Sequence, residues 1–277
     1  MAKAVFIDYD GTYADRGQIP AGHVEAVRHA RENGHHVLLC TGRPKSMVPS
    51  RILDSVFDGL IGAGGGYVEI DGTLLADIRF PPDLATQVVD LLTAYDASFI
   101  LEAPGAVYGR IGVRERMHET LTESFGPGSE EGVNDILANL QVTDDLGEVS
   151  FGKVTVFSSP IPVDELARMM GPLVGALPNS VTGPGDHSGE IHLRDVNKAT
   201  GIEIVAAHLG ISRSDTIGAG DGFNDLEMLA YAGTALVVEG SPPELLALAD
   251  LIIAPPGREG LVRGFAELGL TTASVTG

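Results

Sequence analysis

The sequence predicts an α/β protein, a parallel sheet covered by helices on both faces and interrupted by a separate α+β segment. Short apolar runs alternate with helically spaced apolar residues over residues 1–80. The same alternation resumes at residue 188. Between them, Pro81-Pro82 breaks the pattern and opens a region of different character. Two domains follow, one from residues 1–80 with 188–277 and one from residues 81–187.

The elements justify this in order. Residues 5–7 are a short apolar run that Gly11 helps to end, the pattern of a buried strand. Residues 21–33 carry Val24, Val27 and Ala30 at helical spacing and stop at Gly34. A second strand at 36–40 runs into Thr41-Gly42-Arg43-Pro44, a helix is expected over 45–57 and a third strand at 59–61. Gly62-Ala63-Gly64-Gly65-Gly66 reads as a flexible loop, and Asp71-Gly72 between residues 67–70 and 73–75 as a two-residue hairpin turn. In the insert, helices are expected at 83–95, 115–125 and 166–174, strands near 98–101, 106–111 and 154–157, and a loop at 126–132. Val181 and residues 191–193 flank a polar, glycine-rich turn. Beyond it, helices at 198–209, 226–230 and 243–249 alternate with strands at 216–219, 234–238 and 251–253. The small, polar tail after Leu270 is expected to be loose.

With 38 acidic against 18 basic residues, the formal charge is −20. Such a field repels nucleic acid and anionic membranes, so neither is an expected partner. A small anionic substrate would need a metal and local cations. Cys40 is the only cysteine, which excludes an internal disulfide and fits a reducing, cytoplasmic setting. It follows an apolar run and reads as a small packed hydrophobe. No apolar run approaches the ~18 residues of a membrane span. The N-terminus enters the first strand at once, so no signal peptide is expected.

In an open α/β sheet, ligands bind beyond the C-terminal strand ends. Four polar clusters fall at such ends: Asp8 with Asp10, Thr41-Gly42-Arg43, the region of Lys198, and Asp221-Gly222-Phe223-Asn224-Asp225. Residues i and i+2 of a strand point the same way, so Asp8 and Asp10 are expected to project together from the C-terminal end of the first strand. Two adjacent carboxylates repel unless a cation lies between them or one is protonated. Mg²⁺ suits that role, because it prefers carboxylate oxygens and substrate phosphate. Asp8 is placed to attack phosphorus, and Asp10 to exchange protons with the leaving oxygen and water. The alternative is a pair of aspartates capping a helix. Thr41 and Gly42 suit a phosphoryl oxygen or form an ordinary turn, and Arg43 contacts substrate or pairs with a surface acid. Lys198 is either a solvated helix lysine or the partner of Asp8. Asp221 and Asp225 complete an oxygen-rich metal site with Asp8, or belong to a metal-free loop. The late glutamate of a calcium loop is absent. None of the eight histidines forms a metal pattern, although His187 and His192 flank the return from the insert.

Together these motifs resemble the haloacid dehalogenase superfamily of phosphotransferases. Asp8-Tyr9-Asp10-Gly11-Thr12 resembles its first motif, Thr41-Gly42-Arg43 the second and Asn197-Lys198-Ala199-Thr200-Gly201-Ile202 the third. Gly220-Asp221-Gly222-Phe223-Asn224-Asp225-Leu226-Glu227-Met228-Leu229 resembles the fourth. Order and spacing match the Cof-type branch, whose large cap lies between the second and third motifs. The resemblance implies a Rossmann-like, doubly wound core with an inserted α+β cap, and Mg²⁺-dependent phosphatase chemistry. It makes Asp8 the nucleophile and Asp10 the acid/base. Thr41 and Lys198 hold the phosphoryl group, Asn224 lies near it, and Gly42 and Arg43 bind phosphate or substrate. It assigns the metal to Asp8, the Asp10 carbonyl and Asp221, with Asp225 in support. Tyr9 and Tyr13 replace the usual aliphatic residues, and Gly62–Gly66 replaces the branch's Asn-Gly-Ala.

The expected function is hydrolysis of a small phosphorylated metabolite, such as a sugar phosphate, through an aspartyl-phosphate. A phosphomutase and a non-catalytic sugar-phosphate-binding module are the alternatives.

Overall fold

The structure is a computed structural model that describes residues 1–53, 56–126, 130–178 and 185–271. Val181, part of the expected loop at 126–132 and residues 272–277 of the tail lie outside the described residues. The chain forms two compact units: residues 1–41, 50–76 and 198–277, and residues 42–49 and 77–197.

The first unit holds an eight-stranded sheet. Its order is Leu251–Ile253, Thr234–Val238, Thr216–Gly220, Ala4–Ile7, His36–Cys40, Gly59–Gly62, Tyr67–Ile70 and Thr73–Asp77. The first six strands are parallel. Tyr67–Ile70 turns antiparallel to Gly59–Gly62 and continues into Thr73–Asp77, so the parallel sheet carries the expected hairpin at one edge. Asp71 and Gly72 both have positive φ, +48° and +72°, the geometry that closes a two-residue hairpin.

The central strands are apolar on both faces because helices cover both. Phe6, Leu38, Cys40 and Ile61 pack with Ile202 and Val205 of helix Lys198–Leu209 and with Met228 of helix Leu226–Tyr231. Val5, Ile7, Val37 and Leu39 alternate with these residues and are also fully buried. Helix Ala21–Glu32 and helix Gly260–Glu267 pack together in the same unit. His23, fully buried in the first of them, ties two parts of this layer. Its Nε2 accepts the Leu261 N–H at 3.3 Å, which leaves Nδ1 to donate to the Tyr13 carbonyl at 2.9 Å. Tyr13 fills the space beside it, its ring 5.0 Å from Phe57.

The second unit holds a six-stranded sheet ordered Val174–Pro178, Gly189–Leu193, Lys153–Ser158, Ser98–Glu102, Val107–Gly109 and Leu140–Val142. All pairs are antiparallel except the last. Phe99, Leu101, Val154, Val156 and Ile191 form a core with Val88 and Leu92 of helix Pro82–Ala94 and with Leu166 and Met170 of helix Val163–Met170. Ile100 and Val107 join a second core with residues of helices Val113–Phe125 and Glu130–Leu137.

The unit boundaries fall at 76/77 and 197/198 rather than at 80/81 and 187/188. Strand Gly189–Leu193 pairs on both sides within the second sheet, which carries residues 189–193 with it. Residues 42–49 also join the second unit. Met47 sits in its core, Ser46 Oγ donates to the Ala103 carbonyl at 2.8 Å, and Asn139 donates to the Ser46 carbonyl at 2.6 Å. The helix expected over 45–57 is therefore a short turn at Lys45–Met47 and a single helical turn at Ser50–Leu53. The helix expected to reach Val174 ends at Met170, because Gly171 adopts φ +107° and Val174 begins a strand.

Two outcomes are expected. A Cβ on Gly201 would lie 2.4 Å from Ile61 Cγ2, so Gly201→Ala lowers the urea-derived stability by about 1–3 kcal/mol despite alanine's better helix propensity. Burial, only partly opposed by the Tyr13 carbonyl, lowers the His23 pKa below 6.5. Its contribution to stability is present above that pH and lost as the pH falls through the lower folded value. The urea midpoint of wild type accordingly drops more steeply on acidification below pH 6.5 than that of His23→Asn.

Candidate active site

The site lies at the switch in strand order. From Ala4–Ile7 the chain builds outward to one side through His36–Cys40, and from Thr216–Gly220 to the other through Thr234–Val238. These two central strands are neighbours, and the Asp8 N–H donates to the Ala219 carbonyl at 2.9 Å. Asp8 and Asp221 thus leave adjacent strand ends at the crevice where such sheets bind ligands.

The first strand ends at Ile7, so strand alternation does not govern Asp8 and Asp10. The chain instead turns, with the Tyr13 N–H donating to the Asp8 carbonyl at 3.0 Å and the Ala14 N–H to the Tyr9 carbonyl at 2.8 Å. Asp8 is buried and Asp10 exposed, which corrects the expectation that they project together. Gly11 occupies φ +92°, and a Cβ there would lie 2.3 Å from Asp221 Oδ2. Next to it, Thr12 Oγ1 donates to Asp221 Oδ1 at 2.6 Å.

Asp225 organises the other wall. Its Oδ2 accepts the Asp221 and Gly222 N–H groups, each at 3.0 Å, and closes the turn Phe223–Asp225. Its Oδ1 accepts from Lys198 Nζ, which also donates to Asp8 Oδ1 at 2.5 Å. Lys198 is the first residue of its helix and is 1% exposed, so it is no solvated surface lysine. The close approach of Gly201 to Ile61, one turn along, lets the helix seat Lys198 at this depth.

Negative charge exceeds positive in this cluster. One carboxylate oxygen from each of Asp8, Asp221 and Asp225 lies within 4.8 Å of the other two. Burial, then the Asp225 carboxylate, raises the pKa of Asp8 despite Lys198. The same two causes push Asp221 up to about 7. For Lys198, burial opposes the charge, but Asp225 and Asp8 outweigh it and raise the pKa. Three clustered carboxylates with one ammonium, which bonds two of them, fit a hard divalent cation, the more so as Asp8 and Asp221 resist ionisation.

The remaining predicted residues are placed as follows. The Asp10 carboxylate is not among the clustered oxygens. Thr41 is buried at the end of its strand, and its carbonyl accepts the Gly64 N–H at 3.1 Å. That bond and the helical turn Ala63–Gly65 make the expected flexible loop a tight one. Asn224 is half-buried beside Asp225. Gly42 and Arg43 belong to the second unit, where Lys153 Nζ donates to the Gly42 carbonyl at 2.7 Å. Cys40 is buried, and its pKa is raised, so the thiol is unreactive. His187 and His192 bond the Ser159 and Leu193 carbonyls. Sequence reasoning assigned no role to Thr12 or Lys153. Thr12 stands inside the first motif, whereas Lys153 reads only as a charged residue at a strand start.

Comparison with known proteins shows the family. A family model of haloacid dehalogenase-like hydrolases matches residues 5–264. The 5-amino-6-(5-phospho-D-ribitylamino)uracil phosphatase YitU of Bacillus subtilis is 26% identical over 272 residues, covering 95% of this chain and 96% of YitU. A phosphoglycolate phosphatase of Methanospirillum hungatei is 24% identical over 266 residues, covering 95% of this chain and 94% of that one. A Streptococcus pyogenes protein whose name joins a phosphatase to a peptidyl-prolyl cis-trans isomerase is 26% identical across 97% of this chain, which spans about half of it, 54%. Among solved structures, the subclass IIB sugar phosphatase BT4131 shares the fold with a TM-score of 0.77 at 20% identity, covering 97% of this chain and 100% of that one. Among the described residues no helix is long and apolar enough to cross a membrane. The matched span, the relatives and the acidic site at the sheet switch place the chain in the haloacid dehalogenase-like hydrolase family, as a Cof-type phosphatase.

Proposed function

We propose that the chain hydrolyses the phosphate monoester of a small polar metabolite, of the sugar-phosphate class, in the cytoplasm, with Mg²⁺ held by Asp8, Asp221 and Asp225 and the Asp10 carbonyl. The observation that carries this reading is the buried Lys198 ammonium bonded to both Asp8 and Asp225, beside Asp221. The names of relatives support a small phosphorylated metabolite, since they include a phosphoglycolate phosphatase and a 5-amino-6-(5-phospho-D-ribitylamino)uracil phosphatase.

A bound divalent cation supplies the positive charge that keeps Asp8 ionised and lets an anionic phosphate approach it. Asp8 attacks phosphorus, forming an Asp8–phosphorus bond as the bond to the leaving alcohol oxygen breaks. Asp10, exposed to solvent, gives its proton to that oxygen. Asp10 then takes a proton from water, whose oxygen attacks the aspartyl-phosphate and releases phosphate and Asp8. Lys198 balances charge on Asp8 throughout. Thr41, Gly42, Arg43 and Asn224 are the proposed contacts to phosphoryl oxygens and substrate. Thr12 holds Asp221 in orientation through its 2.6 Å bond.

Phosphate release from a panel of hexose phosphates, phosphoglycolate and glycerol phosphate tests the reading. Wild type with Mg²⁺ hydrolyses at least one of them. Asp8→Asn loses at least about 10³-fold in kcat, and Asp10→Asn about 10²–10⁴-fold. A wild type that releases no phosphate from any panel member sinks the proposal.

Metal binding gives an independent check. Burial and the Asp225 carboxylate push Asp221 up to about 7, so proton and metal compete there. Mg²⁺ affinity, measured calorimetrically without substrate, falls as the pH drops below 7, approaching about tenfold per pH unit. Asp221→Asn binds more weakly and with a shallower pH dependence. Affinity independent of pH between 6 and 8 would contradict this account.

A further inference from the structure

Within the second unit, one sheet face carries a buried ionic network that the chemistry above does not use. Glu102, Lys153, Thr155 and Glu190 come from three adjacent strands, and each is less than a tenth exposed. Lys153 Nζ donates to Glu190 Oε2 at 2.8 Å and lies 3.3 Å from Glu102 Oε2. Thr155 Oγ1 donates to Glu102 Oε1 at 2.5 Å. Burial disfavours the ammonium, but Glu102 and Glu190 outweigh it and keep Lys153 charged. A further bond from Lys153 Nζ leaves the network, reaching the Gly42 carbonyl at 2.7 Å.

That carbonyl belongs to the peptide joining Gly42 to Arg43. In a trans peptide the C=O and the following N–H point in opposite directions. Fixing the Gly42 carbonyl therefore fixes the direction of the Arg43 N–H. Glycine resists such an orientation least by its own backbone preference, so a tether matters most there. The neighbouring segment is held separately, by Ser46 on Ala103 and Asn139 on Ser46, and neither bond reaches the Gly42–Arg43 peptide.

We propose that Lys153 is a positioning residue for phosphate binding, holding the Gly42–Arg43 peptide so that this turn meets the phosphoryl group in one orientation. Glu102 and Glu190 aim the ammonium, and Thr155 aims Glu102. The assignment rests on the phosphatase reading and on Gly42 and Arg43 as phosphate or substrate contacts.

Lys153→Met alone would strand two buried carboxylates, so the test pairs it with Glu190→Gln, which leaves the network's formal charge at −1 as in wild type. Neutral replacement of a buried ion pair is generally tolerated, and Lys153→Leu with Glu190→Leu provides a second version should the first not fold. The readout is the competitive Ki of inorganic phosphate against hydrolysis of p-nitrophenyl phosphate with Mg²⁺. Ki does not depend on how much of the sample is folded, so a merely structural role leaves it unchanged. Loss of one charge-assisted bond is expected to raise phosphate Ki and substrate KM about tenfold. Asn139→Ala, which loosens the same segment away from Gly42, leaves Ki within about twofold by the same reasoning. A wild-type Ki in either folded double variant overturns the assignment while leaving the phosphatase reading intact. Absence of hydrolysis by wild type overturns both.

Discussion

The first unit depends on one buried ammonium. Lys198 has lost water on every side, and a charge in that position survives only with close counter-charges. Asp8 and Asp225 supply them from segments 190 and 27 residues away in sequence. Asp225 also holds the turn that presents Asp221, and Thr12 holds Asp221 from the other side. Removing one partner from such a pair strands the other, at a cost of about 3–5 kcal/mol. The bond does not explain why the cluster exists, because an apolar replacement of similar volume is often as stable. What an apolar replacement cannot provide is an excess of carboxylate oxygens at a strand-end crevice, ready for a cation.

The same cluster explains how two aspartates in one short motif acquire different surroundings. Their residue type and spacing suggest equivalence, and a continuing strand would have enforced it. Ending the strand at Ile7 breaks that symmetry. Asp8 falls into the charged interior, where burial and Asp225 oppose its ionisation and Lys198 favours it. Asp10 remains in contact with solvent, as the proton exchange proposed for it requires. Gly11 is required between them, because the turn needs positive φ and the space of its missing Cβ is filled by the Asp221 carboxylate.

Much of this was legible in the sequence because strand ends carry a readable signature. An apolar run that stops at acidic or hydroxyl residues announces both a strand and a ligand edge, as at Ile7, Cys40 and Gly220. The depth of Lys198 was less legible, since a lysine opening a helix is ordinarily solvated. Its burial follows from Gly201 pressing on Ile61, a contact between segments 140 residues apart that no local pattern encodes. The second unit was read less well for the same reason. Lys153-Val154-Thr155-Val156 alternates as a half-exposed strand should, yet its polar face is as buried as its apolar one. Residues 45–49 look like the start of a helix, but the contacts of Met47 and Ser46 draw them elsewhere.

Lys153 and Lys198 show why burial alone does not define a role. Both are buried lysines, each holding two carboxylates. Around Lys198 a third carboxylate joins the cluster, and the surplus oxygens invite a cation. Around Lys153 the additional acceptor is the Gly42 main-chain carbonyl. A carboxylate at the end of a side chain can follow an ammonium through its rotamers, whereas a peptide plane cannot turn without moving the backbone on both sides. An ammonium that spends a donor on main chain therefore sets the orientation of the turn it touches. At Lys153 that turn is Thr41-Gly42-Arg43, so a buried charge far along the chain bears on the backbone of the second motif.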